Sequence, residues 1–250
     1  MLKKLLPSLT FLAASAVALS AHAAEITFLC AASMQSSVEE MLPQFQRESG
    51  HQVRAAYANV GRNTQQVRNG DVTDLAIVSP QQWNELQKEG KITGSVPMVI
   101  AKVGIGGVVP KGRPKPDIST VDSFKKTLLS VRTIALSPTT GAPVAAYMVR
   151  LFESLGVSDA LRPKLVMTAP ALETVGKGEA DIGFAQVSEI LADPLVELVA
   201  ALPTEIQNYT VLTAATPKNA RAPEAAKTLI EFLMSRRMTE ALESKGLSRD

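Results

Sequence analysis

A strand and a helix are joined by the stretch Cys30-Ala-Ala-Ser-Met-Gln-Ser-Ser-Val-Glu-Glu-Met-Leu-Pro-Gln-Phe-Gln-Arg-Glu-Ser49. The apolar run Ile26–Ala31 has the length of a strand, and apolar residues then recur at helical spacing, at Val38, Met41, Leu42 and Phe45. Ala32 and Ser33 are small, and Ser33 is predicted to be the N-cap of the helix. A small-residue turn at a helix N-terminus favours an anion site, and a plain turn with a capping serine is the alternative.

The first 23 residues have the pattern of a secretory signal peptide. Lys3 and Lys4 precede an apolar run from Leu5 to Leu19, and Ala21-His22-Ala23 is a small-x-small cleavage signal. We therefore predict cleavage near Ala23 and a periplasmic location. Residues 1–23 are left out of the fold prediction.

The charge balance and the rare residue types exclude several classes of function. The whole chain has 26 Lys and Arg against 24 Asp and Glu, and removal of the signal peptide removes two lysines, leaving 24 of each. A neutral protein argues against a nucleic-acid partner or a charged membrane surface. The single cysteine forms no internal disulfide, and His51 is the only histidine outside the signal peptide. Histidine metal sites and Ser–His or Cys–His nucleophiles are therefore disfavoured, and we expect no metal and no cofactor.

Strand-like and helix-like segments alternate along the chain, which predicts an α/β fold with mostly parallel sheets and helices on both faces. Two β-like runs are candidate hinges between lobes. One is Val96–Val109, which contains Gly104, and the other is Tyr209–Ala214. We therefore predict one lobe from residues 24–103 plus 209–250 and a second from residues 104–208.

Four strand-to-helix turns carry small or hydroxyl-bearing residues where a helix starts. In open α/β sheets ligands bind at the carboxyl ends of the strands, so two facing lobes would bring these turns to one cleft. Backbone dipoles there can hold an anion without many fixed countercharges. The candidate ligand-binding residues are Ala32, Ser33, Met34, Val60, Gly61, Arg62, Thr139, Thr140, Gly141, Gln186 and Val187.

One of these residues, Arg62, adds a fixed positive charge. A guanidinium binds a carboxylate through two parallel N–H donors, and a solvated arginine on a helix face is the alternative. Catalysis by proton transfer would need an acid–base group beside the ligand. The sequence singles none out; the candidates are Cys30, Tyr57, Tyr147, Glu173 or a lysine.

Short motifs in order along the chain resemble the molybdate-binding periplasmic proteins, the two-lobed solute receptors of ABC importers. They are Ala31–Ser33, Phe45–Gly50, Gly70–Leu75, Ser137–Ala142 and Val175–Gly183. The resemblance implies a type 2 periplasmic-binding-protein fold, with a two-strand hinge and a ligand held between closing lobes. It also implies a small anionic ligand and an ABC permease as partner. We expect a monomer.

The sequence departs from that family at two turns. Asn59-Val60-Gly61-Arg62 replaces a Gly-Ser-Ser-Gly-like turn, and Gln186 replaces the family's tyrosine. Losing a serine and a tyrosine while gaining an arginine favours an organic di- or tricarboxylate over molybdate or tungstate. The chain is in this respect similar to a branch that includes periplasmic aconitate isomerase. A cofactor-free aconitate isomerase is therefore the alternative to a receptor, and a receptor that signals to a membrane kinase is a third interpretation.

Overall fold

The computed structural model describes residues 23–138 and 143–249. The strands are β1 (Glu25–Ala31), β2 (Gln52–Ala58), β3 (Leu75–Val78), β4 (Ile92–Val103), β5 (Ile105–Pro110), β6 (Ile134–Leu136), β7 (Leu165–Met167), β8 (Ile182–Gln186), β9 (Val196–Ala201), β10 (Thr210–Pro217) and β11 (Leu247–Ser248). The helices are α1 (Gln35–Ser49), α2 (Val60–Asn69), α3 (Pro80–Lys88), α4 (Val121–Ser130), α5 (Pro143–Ser154), α6 (Ser158–Leu161), α7 (Ala171–Gly176), α8 (Val187–Ala192), α9 (Pro223–Leu233) and α10 (Arg236–Ser244). Within these ranges no helix is both long and apolar enough to cross a bilayer.

The strands form two sheets, and this confirms the predicted two-lobed α/β architecture. The first lobe is built on a six-stranded sheet in the order β11-β4-β10-β3-β1-β2. The second lobe is built on a five-stranded sheet in the order β7-β6-β8-β5-β9. Each sheet has its own apolar core. Phe28 and Ile77 lie in the core of the first lobe, and Phe124 contacts the ring edge of Phe184 in the second.

Both sheets are mixed, which differs from the predicted mostly parallel arrangement. Parallel pairs join β1 to β2 and β3, and β6 to β7 and β8. The strands β5 and β10 run antiparallel to both of their neighbours, and β11 runs antiparallel to β4. The reason is topological, because β5 carries the chain into the second lobe and β10 returns it to the first.

Signals at the helix ends are mostly placed as predicted, with one correction. Gly50 ends α1 in the left-handed conformation, with φ of 75°, which glycine adopts without strain. Pro80 opens α3 behind a capping box between Ser79 and Gln82. Ser33, however, is not the N-cap of α1. The chain first forms a tight 3-10 turn over Ala32–Met34, and this turn moves the Ser33 hydroxyl away from the first turn of the helix.

The chain enters the second lobe within the first predicted hinge segment, Val96–Val109, but it returns before most of the second, Tyr209–Ala214, because residues 210–214 already belong to β10 of the first sheet. Gly104 alone separates β4 of the first sheet from β5 of the second. The return passage, residues 202–209, is tied to the first by the Gln207 side chain. Its Oε1 accepts from the Ile105 backbone N–H at 2.8 Å, and its Nε2 donates to the Ile105 carbonyl at 3.0 Å. The two passages are therefore fastened to each other at the residue that follows Gly104.

Replacing Gly104 by alanine is expected to destabilise this passage by about 1–2 kcal/mol. A Cβ there would lie 3.0 Å from Nε2 and 3.1 Å from Cδ of Gln207, whose amide is held by its hydrogen bonds. Chemical denaturation measures the change. In a Gln207→Ala background the same substitution should cause little additional loss, because the opposing amide is gone. An equal loss in both backgrounds would contradict this account.

Candidate functional site

A cavity of about 380 Å³ lies between the lobes. The first lobe lines it with residues at the carboxyl ends of β1 and β2, and the second with residues at the ends of β6 and β8. The start of β10 lines it where the chain returns to the first lobe. Three of the predicted strand-to-helix turns, those after β1, β2 and β8, therefore meet at this cavity.

The first lobe contributes an unpartnered hydroxyl to the cavity. Ala32 and Ser33 line it from the 3-10 turn that follows β1. Ser33 is only 4% exposed, and among the residues that the structure describes its Oγ has no hydrogen-bond partner. A hydroxyl without a protein partner, on a residue that lines a cavity, is available to a ligand. Met34, the third residue of the turn, is fully buried in the core and does not line the cavity.

The turn after β2 reaches the cavity through Asn59 and Val60, and not through Arg62. Asn59 is the N-cap of α2, and its Oδ1 accepts from the Arg62 backbone N–H at 2.9 Å. Arg62 is the third residue of α2. Its backbone N–H is occupied by this cap, and its side chain is exposed to solvent. Gly61 and Arg62 therefore lie outside the cavity lining. The Arg62 guanidinium, predicted to bind a ligand carboxylate, is therefore not among the groups that border the cavity.

The second lobe contributes the turn after β6. Ser137 follows this strand, and Val144 and Ala145 lie in the first turn of α5; all three line the cavity. The predicted site residues Thr139, Thr140 and Gly141 lie outside the described residues.

Gln186 links the two lobes at the cavity. It is the last residue of β8, it precedes α8, and it is 7% exposed. Its Nε2 donates to Oγ1 of Thr210, at the start of β10, at 3.0 Å. Because β8 and β10 belong to different sheets, this hydrogen bond crosses between the lobes. The next residue, Val187, does not line the cavity, and its backbone N–H donates to the Gly104 carbonyl at 3.0 Å.

Glu189 is a cavity residue that sequence reasoning did not identify. It lines the cavity between the lobes and also an adjoining cavity of about 620 Å³, to which Ala32 and Ser33 contribute as well. Burial raises the pKa of the Glu189 carboxyl, and a hydrogen bond from the Gln186 backbone only partly opposes this. Among the described residues lining the first cavity, Glu189 alone has an ionisable side chain. The sequence did contain one signal for Glu189. It lies three residues after Gln186, a predicted cleft residue, in the first turn of a helix.

The residues considered for catalysis lie elsewhere. Cys30 is fully buried, and burial raises the pKa of its thiol. Burial also raises the pKa of Tyr57, which lies outside the cavity lining. Tyr147 donates its hydroxyl to the Ile206 carbonyl at 2.8 Å, and Glu173 forms an exposed ion pair on α7. Within the described ranges no cluster of three His, Cys, Asp or Glu side chains is arranged to hold a metal ion.

Residues 26–248 match the family model of the bacterial extracellular solute-binding proteins. The chain belongs to this family. The match covers both sheets and both passages between the lobes, so the solute-binding family spans the whole described fold.

Relatives of this solute-binding protein include one named as an enzyme and others named for molybdate binding. An aconitate isomerase from Pseudomonas sp is 27% identical over 227 residues, covering 89% of this chain and 87% of that protein. The molybdate-binding protein ModA of Escherichia coli (strain K12) is 27% identical over 187 residues, covering 72% of each. The solved Azotobacter vinelandii periplasmic molybdate-binding protein aligns with a TM-score of 0.75 at 18% identity, covering 90% of this chain and 99% of that one. The last comparison shows a shared fold.

Proposed function

We propose that the protein binds an organic di- or tricarboxylate between its two lobes and delivers it to an ABC permease in the inner membrane. The lobes are residues 24–103 with 209–250 and residues 104–208, and they close on the ligand by bending at Gly104 and at the return passage. The protein is exported to the periplasm, loses its signal peptide near Ala23 and acts as a monomer.

The size and the lining of the cavity carry this proposal. The volume of about 380 Å³ lies within the range of about 300–1,000 Å³ that is usual for sites of organic ligands, and it exceeds what a tetrahedral oxoanion needs. Much of the wall is apolar, and includes Val60, Leu172, Phe184 and Leu212. Such a wall suits the carbon skeleton of an organic acid, whereas an inorganic oxoanion has only polar atoms to present to it.

Neutral donors would hold the carboxylates of the ligand. Among the described residues no lysine or arginine lines the cavity, whereas Ser33 and Asn59 from the first lobe and Gln186 from the second carry polar groups there. Hydroxyls, side-chain amides and backbone N–H groups bind anions in such concave sites. Relatives named for molybdate binding also support an anionic ligand.

Titration calorimetry on the mature protein tests the proposal. We expect saturable binding of trans-aconitate or citrate, and weaker binding of molybdate. The opposite preference would overturn the choice of a carboxylate. Absence of a signal with all three anions would overturn the anion-binding function itself.

An aconitate isomerase is the second candidate, and the position of Glu189 favours it. The ionised Glu189 carboxylate would remove a proton from the methylene carbon of the bound substrate. The electrons of that C–H bond form a new double bond, the existing double bond shifts its pair to the former vinyl carbon, and that carbon takes the proton back from Glu189. Similarity to a protein named aconitate isomerase supports the same reading.

Turnover separates the two candidates. The purified protein is incubated with trans-aconitate, and proton NMR follows the appearance of the cis isomer. A receptor gives saturable binding and no conversion. An isomerase converts the substrate at a rate proportional to protein concentration, and the Glu189→Gln variant should then lose at least about 100-fold in rate.

A further inference from the structure

We propose that Glu189 couples ligand binding to proton uptake: its neutral carboxyl group donates a hydrogen bond to the bound carboxylate, so the complex forms with one more proton than the free protein. This inference rests on the proposed binding of a carboxylate between the lobes. It adds a prediction about pH that a site made only of hydroxyls and amides would not give.

The position of Glu189 brings it to the ligand from the second lobe. It is the third residue of α8, the helix that begins directly after the cavity residue Gln186. Across from it, Ala32 and Ser33 of the first lobe line the same two cavities. A ligand that contacts the Ser33 hydroxyl therefore occupies the space that the Glu189 carboxyl also borders.

Among the described residues, no lysine or arginine lines either of the two cavities that Glu189 borders. The ionisable groups in the adjoining cavity are Glu39 on α1 and Asp193 at the end of α8, and both are acidic. On β9, which packs against α8, Glu197 accepts from the Gly112 backbone N–H at 3.1 Å. Gly246 packs against Val187 of α8, and the preceding residue is Lys245. The ammonium group of Lys245 is already paired with Glu40 at 3.3 Å.

Further neighbours of α8 add no charge. The facing strand β5 and the cavity-lining residues of the 3-10 turn, Ala32 and Ser33, carry no ionisable side chain. The backbone of Gln186 favours the ionised carboxylate, but burial outweighs it and raises the pKa of Glu189.

Binding of an anion beside this carboxyl favours its neutral form. An ionised carboxylate repels the ligand, whereas the protonated group donates a hydrogen bond to it. The pKa of Glu189 is then higher in the complex than in the free protein. Affinity is therefore fully present below the free-protein pKa and falls as pH rises through it towards the pKa of the complex, by up to about tenfold per pH unit.

A purely structural role for Glu189 makes a different prediction. A glutamate at this place in a helix accepts a hydrogen bond from the N-cap backbone N–H, which stabilises the helix start. In that role the carboxylate stays ionised with and without ligand, and binding exchanges no proton through it. The number of protons taken up on binding therefore separates the two roles.

Calorimetric titration with trans-aconitate, in two buffers of different ionisation enthalpy at each pH, counts those protons. The wild-type protein should take up protons on binding, and should lose affinity as pH rises above the ordinary glutamate pKa of about 4.3. Glu189→Gln, which keeps a donor but cannot titrate, should bind with a flatter pH profile and correspondingly less proton uptake. Ionisation of the ligand itself contributes equally to both proteins and cancels in the comparison.

Two further variants complete the experiment. Glu173→Gln changes an exposed glutamate outside the cavity and should behave as the wild type. Glu189→Asp retains a carboxyl group and should retain part of the proton uptake. Binding with equal proton uptake in the wild type and in Glu189→Gln would overturn this inference alone. Failure of the folded wild-type protein to bind any carboxylate would overturn the proposed function as well.

Discussion

Replacing Asp74 by alanine is expected to lower the free energy of unfolding by about 4 kcal/mol. The Asp74 side chain is buried, at 2% exposure, just before β3. One carboxylate oxygen accepts from the Thr27 backbone N–H at 2.8 Å. The other accepts from the backbone N–H groups of Arg221 at 2.7 Å and Ala222 at 2.8 Å. The residue thereby ties β1 and β3 to the start of α9.

The size of this effect follows from what the alanine variant leaves behind. Hydrogen bonds to a charged group contribute about 1.5–3 kcal/mol each, and Asp74 accepts three. Their removal also leaves backbone donors without partners in the interior. The loss is less than the sum because the surrounding chain relaxes and admits water.

Urea denaturation followed by circular dichroism measures the Asp74→Ala change. The matched control is Asp71→Ala, a nearby and exposed aspartate, for which we expect a change within about 0.5 kcal/mol. A loss for Asp74→Ala no larger than that of the control would contradict the role assigned to these contacts.

Replacing Ser33 by alanine is expected to weaken carboxylate binding by about 10- to 100-fold without changing the fold. A hydrogen bond to a charged ligand contributes about 1.5–3 kcal/mol, and about 1.4 kcal/mol corresponds to a tenfold change in affinity. The hydroxyl has no partner among the described residues, so the free protein loses no internal hydrogen bond to them. The effect should therefore fall on binding and leave stability nearly unchanged.

Titration of trans-aconitate into this variant, alongside two controls, makes the measurement. Ser95→Ala removes an exposed hydroxyl on β4 and should leave affinity as in the wild type. Arg62→Ala should change affinity by less than about threefold, because Arg62 lies outside the cavity lining. A large loss for Arg62→Ala with none for Ser33→Ala would show that the wrong residues of the first lobe had been assigned.

Local sequence patterns were sufficient to predict the fold class and the place of the cleft. Alternating strand and helix patterns carry the α/β prediction, and small residues at helix starts mark where the lobes meet. The direction of β5 and β10 was not predictable in this way. Whether a strand runs with or against its neighbours depends on the path of the whole chain, and a single apolar run looks the same in either direction.

The site was predicted less completely, and for reasons that are specific to each residue. Arg62 lies in the first turn of α2 with its side chain exposed to solvent and outside the cavity lining, which the local pattern does not reveal. Ser33 lines the cleft as predicted, but it was also expected to be the N-cap of α1. It is not, because a 3-10 turn precedes that helix. Glu189 was missed because its environment comes from the approach of the first lobe, which no local pattern contains.

The burial of Cys30 has a practical consequence for measuring domain closure in solution. It is the chain's only cysteine, it is fully buried, and its raised pKa keeps the thiol protonated and unreactive. Maleimide fluorophores or spin labels would therefore attach only to cysteines introduced at will on the rims of the two lobes. Inter-probe distances could be followed during ligand addition in an otherwise native sequence, with no background labelling to subtract.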